Sequence, residues 1–504
     1  MLPIIAPMSV LPATLHSVVQ IKAIEAYAIE RLGIPAYSLM VRAATAALLA
    51  LRTQWPDAKR LLVVCGFGNN AGDGYVLARL AAAEALQVEV VSVSRPETLS
   101  GAAQQAWQDY LAEGGVTQLW HCEKLNAVDV VVDAILGTGL SRPLDATVQS
   151  IVRQINASSR PVFALDVPTG IDADTGQVRG AAIRARCTMS FVGLKQGLYI
   201  DEGPDHAGKR MFDDLGLSAQ VRRDEVDAVA LLMDERMVEQ ALPRRPRNAH
   251  KGQHGHVLIV GGGLGMPGAV GLCGEACLRA GAGWVTLATR PEHVGFLIAT
   301  RPELMGRGVM SAVELGPLLH DADVIAVGPG LGQDAWARAL FEAVLATEKP
   351  LIIDADALNL LALHPQQRSN WVLTPHPGEA ARLLNLSNAE VQHSRMQALQ
   401  ALQSRYHGVV VLKGMGTLVA AENQRPSLCG RGNPGMAIPG MGDVLTGIIA
   451  GIAAQQAPDK RDLALAARAG VYVHATAGDL AAQKGERGLL ASDVFEFLPL
   501  CLNP

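Results

Sequence analysis

Short apolar runs recur along this chain, each followed by enough residues for one helix. The first half has LLVVC at 61–65, VEVVSV at 88–93, VDVVVDAI at 128–135 and PVFALDV at 161–167. The second half has HVLIVGGG, WVTLATR, DVIAVGPGLG, PLIIDADALN, WVLTPHPGE and VVVLKGMGT. Apolar runs without a regular polar alternation read as strands buried on both faces. Strands separated by helices form a parallel sheet with crossover connections. The predicted fold class is therefore α/β. Such a sheet presents its ligands to the carboxyl ends of its strands. Ser17 is a plausible cap for a helix ending near Gly33, and further helices are predicted over 37–55, 74–85, 101–113 and 145–158.

The alternation breaks near Leu217. The polar stretch SAQVRRDEVD at 218–227 has no strand period, and PRRPRN at 243–248 is a second loop. We expect a boundary between 217 and 230, giving domains over 1–222 and 223–504. Two large α/β domains fit 504 residues as well as three small ones. With 49% hydrophobic and 18% charged residues the chain is compositionally globular. A net charge of −5 and 4% aromatics argue against a nucleic-acid partner. Backbone amides still allow a nucleotide ligand. Seven scattered cysteines fit reduced thiols in a cytoplasmic protein. Cys273 and Cys277 lack the further partners a zinc site needs. The N-terminus has no positive region and is broken by Pro3, Pro7 and Pro12, unlike a signal peptide. No apolar run approaches the roughly 20 residues of a membrane span.

In the first half, Gly66-Phe-Gly68-Asn69-Asn70-Ala71-Gly72-Asp73-Gly74 joins a strand to a helix and contains G-x-G-x-x-A. A dinucleotide site would place an acid at the end of the next strand, and Glu89 lies inside it instead. The paired asparagines and Asp73 offer more polar groups than a phosphate loop requires. Asp133 leads into Gly137-Thr138-Gly139-Leu140-Ser141-Arg142-Pro143, Asp166 precedes Val-Pro-Thr169-Gly, and Lys195 ends another strand. Each segment alone is a plain turn as readily as a site. On one rim they join an acid to a base, which suits proton transfer.

In the second half the most informative segment is Gly440-Met-Gly442-Asp443, which opens a helix. Free amides and the helix dipole make an anion site there, and Asp443 beside it could take a proton while the amides hold a phosphoryl group. No Walker A sequence is present. Gly263-x-Gly265-x-x-Gly268, Gly328-Pro-Gly330-Leu-Gly332, Thr374-Pro-His376-Pro-Gly378-Glu379 and Lys413-Gly414-Met415-Gly416-Thr417 each follow a strand.

NNAGDG, DAILGTGL and ALDVPTG resemble the signature segments of the NAD(P)H-hydrate epimerase family, over about residues 17–217. HKGQHG, RPELM, GPGLG, DADALN, TPHPGE, LKGMGT and GMGD resemble the ribokinase-like superfamily and, within it, the NAD(P)H-hydrate dehydratase family, over about 230–504. The resemblance implies an N-terminal Rossmann-like three-layer α/β/α sandwich and a C-terminal ribokinase-like α/β domain. It implies repair of hydrated NADH and NADPH: epimerisation of the R and S hydrates by the first domain, and dehydration of the S hydrate with ADP or ATP by the second. Carried over, Asn69 to Asp73, Gly137 to Pro143 and Asp166 contact the epimerase substrate. Asn70, Asp133 and Thr169 ligate potassium, and Asp166 with Lys195 does the acid and base work. In the dehydratase, Ala269, Gly332, His376 and Asp443 contact the hydrate, with Asp443 as base. Lys413, Gly414, Met415, Gly416, Thr417 and Gly442 hold the adenine nucleotide, and Asp354 and Glu379 help to place magnesium. Relatives imply a homo-oligomer. Three readings stand beside this one: a ribokinase-like small-molecule kinase with an accessory nucleotide-binding domain, a dehydrogenase built on the two glycine turns, and a first domain serving as a non-enzymatic binding scaffold, which predicts loss of the Asn70, Asp133 and Asp166 set that is present here.

Overall fold

The computed structural model describes residues 11–140, 142–217 and 227–503. The chain divides into two units, Met1–Leu231 and Leu232–Pro504, each an α/β domain with a parallel sheet. The division falls beyond the expected 222/223 because the chain pairs once more before leaving the first unit. Ala230 and Leu231 run antiparallel to Leu15 and Thr14. On its other side this short ladder pairs Leu15 and His16 in parallel with Leu194 and Lys195.

In the first unit seven parallel strands lie in the order Thr117–Leu119, Gln87–Ser92, Arg60–Cys65, Val130–Ala134, Val162–Leu165, Cys187–Phe191, Lys209–Asp213. The period of two divides each central strand between two cores. Leu61, Val63 and Cys65 join one apolar cluster with Val130, Val132 and Ala134. Leu62 and Val64 join the other with Val131 and Ile135. The first cluster is closed by helices Ala36–Gln54 and Gly68–Ala83, the second by helix Ala146–Ala157, which gives three layers. Strand order reverses between Arg60–Cys65 and Val130–Ala134. The carboxyl ends of these two strands therefore flank a crevice where the connections diverge.

Most first-unit elements fall where the sequence places them. Ser17 caps helix Val18–Glu30 in a capping box with Gln20. One helix differs: it begins at Gly68, not near 74. Gly72 and Gly74 look like turn glycines but lie inside this helix, where its backbone approaches its neighbours. A β-carbon on Gly72 would come 2.5 Å from the Met40 methyl, and one on Gly74 2.6 Å from Ala134 Cβ. Asn69 and Asn70 consequently sit in the first turn, at the crevice.

In the second unit nine strands are hydrogen-bonded in the order Met305–Gly308, Trp284–Thr289, His256–Val260, Val324–Val327, Leu351–Ile353, Trp371–Leu373, Val409–Leu412, Thr417–Ala421, Ser427–Cys429. The first seven are parallel and the last two antiparallel. Helix Met441–Ala454 is buried along nearly its whole length and packs on helix Pro267–Arg279. Gly447 and Gly451 face the Cys273 and Cys277 carbonyls with no room for a side chain. Cys273 and Cys277 are thus free thiols in this helix seam. Among the described residues no helix is long and apolar enough to cross a membrane.

Candidate active sites

In the first unit the strand-end segments meet at the crevice. Asp166 follows strand Val162–Leu165 with φ of +65°, in the left-handed region that side chains rarely adopt. The conformation is held from two sides. The Asp166 amide donates to the Met189 carbonyl at 2.7 Å, and Lys195 Nζ donates to its carboxylate. Lys195 is 1% exposed and also donates to the Phe191 carbonyl at 2.8 Å. Its strand is anchored by the pairing with His16.

Asp133 and Thr169 form a second, deeper pair. Asp133 is fully buried. Its carboxylate accepts from the Thr169 amide at 2.8 Å and the Ile135 amide at 3.2 Å, and lies 2.7 Å from Thr169 Oγ1. Burial pushes its carboxyl up to about 6 against the pull of these bonds. No basic side chain pairs with it among the described residues. Asn70, oriented to satisfy its amide, donates to the Leu165 carbonyl and accepts from the Gly137 amide, both at 3.3 Å.

Asn69, Asn70, Asp73, Gly137, Thr138, Gly139 and Asp166 line one cavity of about 360 Å³. Other expected contacts fall elsewhere. Ala71 and Gly72 are buried behind the first helical turn, where Gly72 meets Met40 and Ala103. Leu140 packs on the cluster around Ile135 and Leu144. Arg142 and Pro143 are exposed and outside the cavity lining. Ser141 lies outside the described residues. Lys195 supports Asp166 from beneath rather than lining the cavity. The wall that sequence reasoning missed is helical: Lys22, Glu25 and Ile29, with Leu39, Met40 and Ala43. The periodicity identified both helices but said nothing about which face meets a ligand.

In the second unit Gly440, with φ of +92°, caps helix Met441–Ala454 and places Asp443 in its first turn. Burial and the nearby Asp354 charge push the Asp443 carboxyl up to about 7, against the attraction of Lys413. Lys413 Nζ donates to Asp354 Oδ1 at 2.7 Å and lies 3.8 Å from Glu379 Oε2. Thr446 Oγ1 donates to the other Asp354 oxygen at 2.7 Å. Asp354 therefore steers Lys413, with each of its oxygens accepting a hydrogen bond. Glu379, pushed by burial to about 7, accepts from the His376 amide at 2.8 Å. His376 Nδ1 accepts from the Gly378 amide at 3.0 Å.

His376, Lys413, Gly414, Met415, Thr417, Gly442 and Asp443 line one cavity of about 710 Å³. Gly416 is buried, and its carbonyl accepts from Arg395 at 3.2 Å. Ala269, in the first turn of helix Pro267–Arg279, and Gly332, on a neighbouring glycine loop, stand outside this lining. On the glycine loops the Gly262 amide donates to the Pro329 carbonyl at 2.9 Å, and the Gly332 amide to Asp356 at 2.8 Å. Sequence reasoning missed Arg431 and His474, which line the same cavity together with Asn433. Among the described residues no three His, Cys, Asp or Glu side chains gather into one ligand set.

Residues 36–197 match the family model described as YjeF-related protein N-terminus, and residues 257–500 that described as NAD(P)H-hydrate dehydratase. The chain is 48% identical over 491 residues to the bifunctional NAD(P)H-hydrate repair enzyme Nnr of Coxiella burnetii, covering 96% of this chain and 98% of that one. The protein of that name from Escherichia coli is 42% identical over 499 residues, covering 99% and 95%. A solved ribokinase-like superfamily protein from Enterococcus faecalis matches with a TM-score of 0.50 and 33% identity, covering 54% of this chain and 94% of that one.

Proposed function

Because the chain belongs to the family of bifunctional NAD(P)H-hydrate repair enzymes, we propose that its two cavities divide that repair between them. The first interconverts the R and S epimers of hydrated NADH and NADPH. The second dehydrates the S epimer with ADP or ATP, releasing AMP or ADP and phosphate. The observation that carries this reading is the meeting of Asp443, Lys413 and His376 in one cavity, at a helix N-terminus with free amides.

The chemistry follows from that meeting. Hydroxide leaves poorly, since the pKa of water is about 15.7. Asp443, poised near neutrality, takes the proton of the substrate hydroxyl as a phosphoryl group reaches the oxygen. Lys413 and the amides around Gly442 neutralise the charge that gathers on the phosphoryl oxygens. Phosphate is then a good leaving group. The ring nitrogen expels it, and loss of the neighbouring proton restores the double bond. Magnesium, when bound, would supply positive charge against the phosphate oxygens, and Glu379 with Asp354, which both flank Lys413, would help to hold it.

In the first cavity Asp166 is the proton acceptor, with Lys195 fixing its orientation. A potassium ion fits Asn70, Asp133 and Thr169: they supply neutral oxygens and one buried carboxylate that lacks a positive partner among the described residues. Such an ion would supply a countercharge to Asp133 beside the loop around Gly137.

A mixture of hydrated NADH epimers, supplied with ADP and magnesium, tests the whole reading. Both epimers should return as NADH. Asp443→Asn should stop recovery, and Asp166→Ala should limit it to the S epimer. A stable phosphorylated product would instead establish the kinase reading.

A further inference from the structure

The epimerase cavity holds an ionisable side chain that none of the strand-end segments supplies. Glu25 enters from helix Val18–Glu30 and lines the same space as Asp73 and Asp166. Burial raises its carboxyl above the usual range and the Asp166 charge adds to this, while Lys195 and Lys22 pull the other way. Asp73 is pushed up by the same burial and by both neighbouring carboxylates. Asp166, by contrast, is salt-bridged to Lys195. The cavity thus joins a lysine-paired carboxylate on the strand-end side to a carboxyl biased toward its protonated form on the helical side.

We propose that Glu25 is a second proton-transfer residue of the epimerase, acting on the face of the bound ring opposite Asp166. This rests on the epimerase reading of the first unit. A carbon that bears a hydroxyl and adjoins a ring nitrogen can be inverted by an acid on one face and a base on the other. Glu25 gives its proton to the hydroxyl. The carbon–oxygen bond breaks, water leaves, and the nitrogen lone pair forms a carbon–nitrogen double bond. Water adds to the opposite face, the electron pair returns to nitrogen, and Asp166 takes the surplus proton. Nothing is oxidised or reduced. Glu25 ends ionised and Asp166 protonated, the pairing that carries the reverse inversion.

The test uses the full chain and one purified epimer without nucleotide, so that the second site is silent. Glu25→Gln should lower kcat about 100-fold or more while KM stays within about threefold. The loss of rate at high pH, which reports the acid, should disappear from the kcat profile. Glu25→Asp should restore part of the rate, and each inversion in oxygen-18 water should place one labelled oxygen on the product. The proposal is overturned by a wild-type kcat in Glu25→Gln or by a low kcat with both pH limbs intact. It also falls if Asp73→Asn abolishes the high-pH limb instead, or if inversion proceeds without label. If the unsubstituted chain leaves the epimers unchanged, the epimerase reading fails first, and Glu25 with it.

Discussion

The burial that would suit Asp443 to the proposed role of base also makes it costly to the fold. As a base it must be ionised, so dehydration should fall about tenfold per pH unit below roughly 7 and level off above it. A steady-state profile of kcat checks this. The stability effect has the opposite sign. A carboxyl whose folded value lies above its unfolded one favours the native state while protonated, and that advantage is lost as pH rises through about 7. Asp443→Asn is expected to abolish dehydration, to raise Tm by a few degrees at pH 8, and to leave it unchanged at pH 4, which thermal unfolding at the two pH values measures. Asp133 makes a different case, a fully buried carboxylate with no positive partner among the described residues. Asp133→Asn should remove any acceleration of epimerisation by potassium. A potassium chloride titration of both proteins at constant ionic strength tests this.

Among the secondary-structure elements, the strands were legible because two-sided burial leaves an apolar signature, and their ends were legible because glycines and acids gather there. Asn69, Asn70, Asp166, Lys413 and Asp443 could be placed for that reason. Gly72 and Gly74 were misread because a glycine that permits a turn and a glycine that permits close helix packing look alike in a sequence. The helix seam beneath Asp443 depends on the second kind. A methyl on Gly447 would meet the Cys273 carbonyl directly. Gly447→Ala should cost about 1–3 kcal/mol and, by shifting the first turn of helix Met441–Ala454, slow dehydration while sparing epimerisation. Denaturant unfolding and the two separate assays show whether it does.

For the molecule as a whole, each unit carries its own cavity, and the acids of one site are not shared with the other. An Asp166→Ala chain and an Asp443→Asn chain, each deficient alone, should together return both hydrate epimers to NADH, since the S epimer released by one can diffuse to the other. A mixture no better than the Asp166→Ala chain alone would mean that the epimer is never released. The helical wall with Lys22, Glu25 and Met40 was illegible for a reason at this scale. It faces the strand ends only after the whole sheet has formed, and no local pattern encodes which side of an amphipathic helix will border a cavity.

Lys413 stands already balanced by Asp354 and Glu379. On the proposed reading, departure of a spent nucleotide would strand no naked ammonium in the cleft, and the side chain would have no reason to swing out toward solvent. Successive turnovers would then begin from the same resting arrangement, with the reorganisation that slows many group-transfer enzymes already built into the fold.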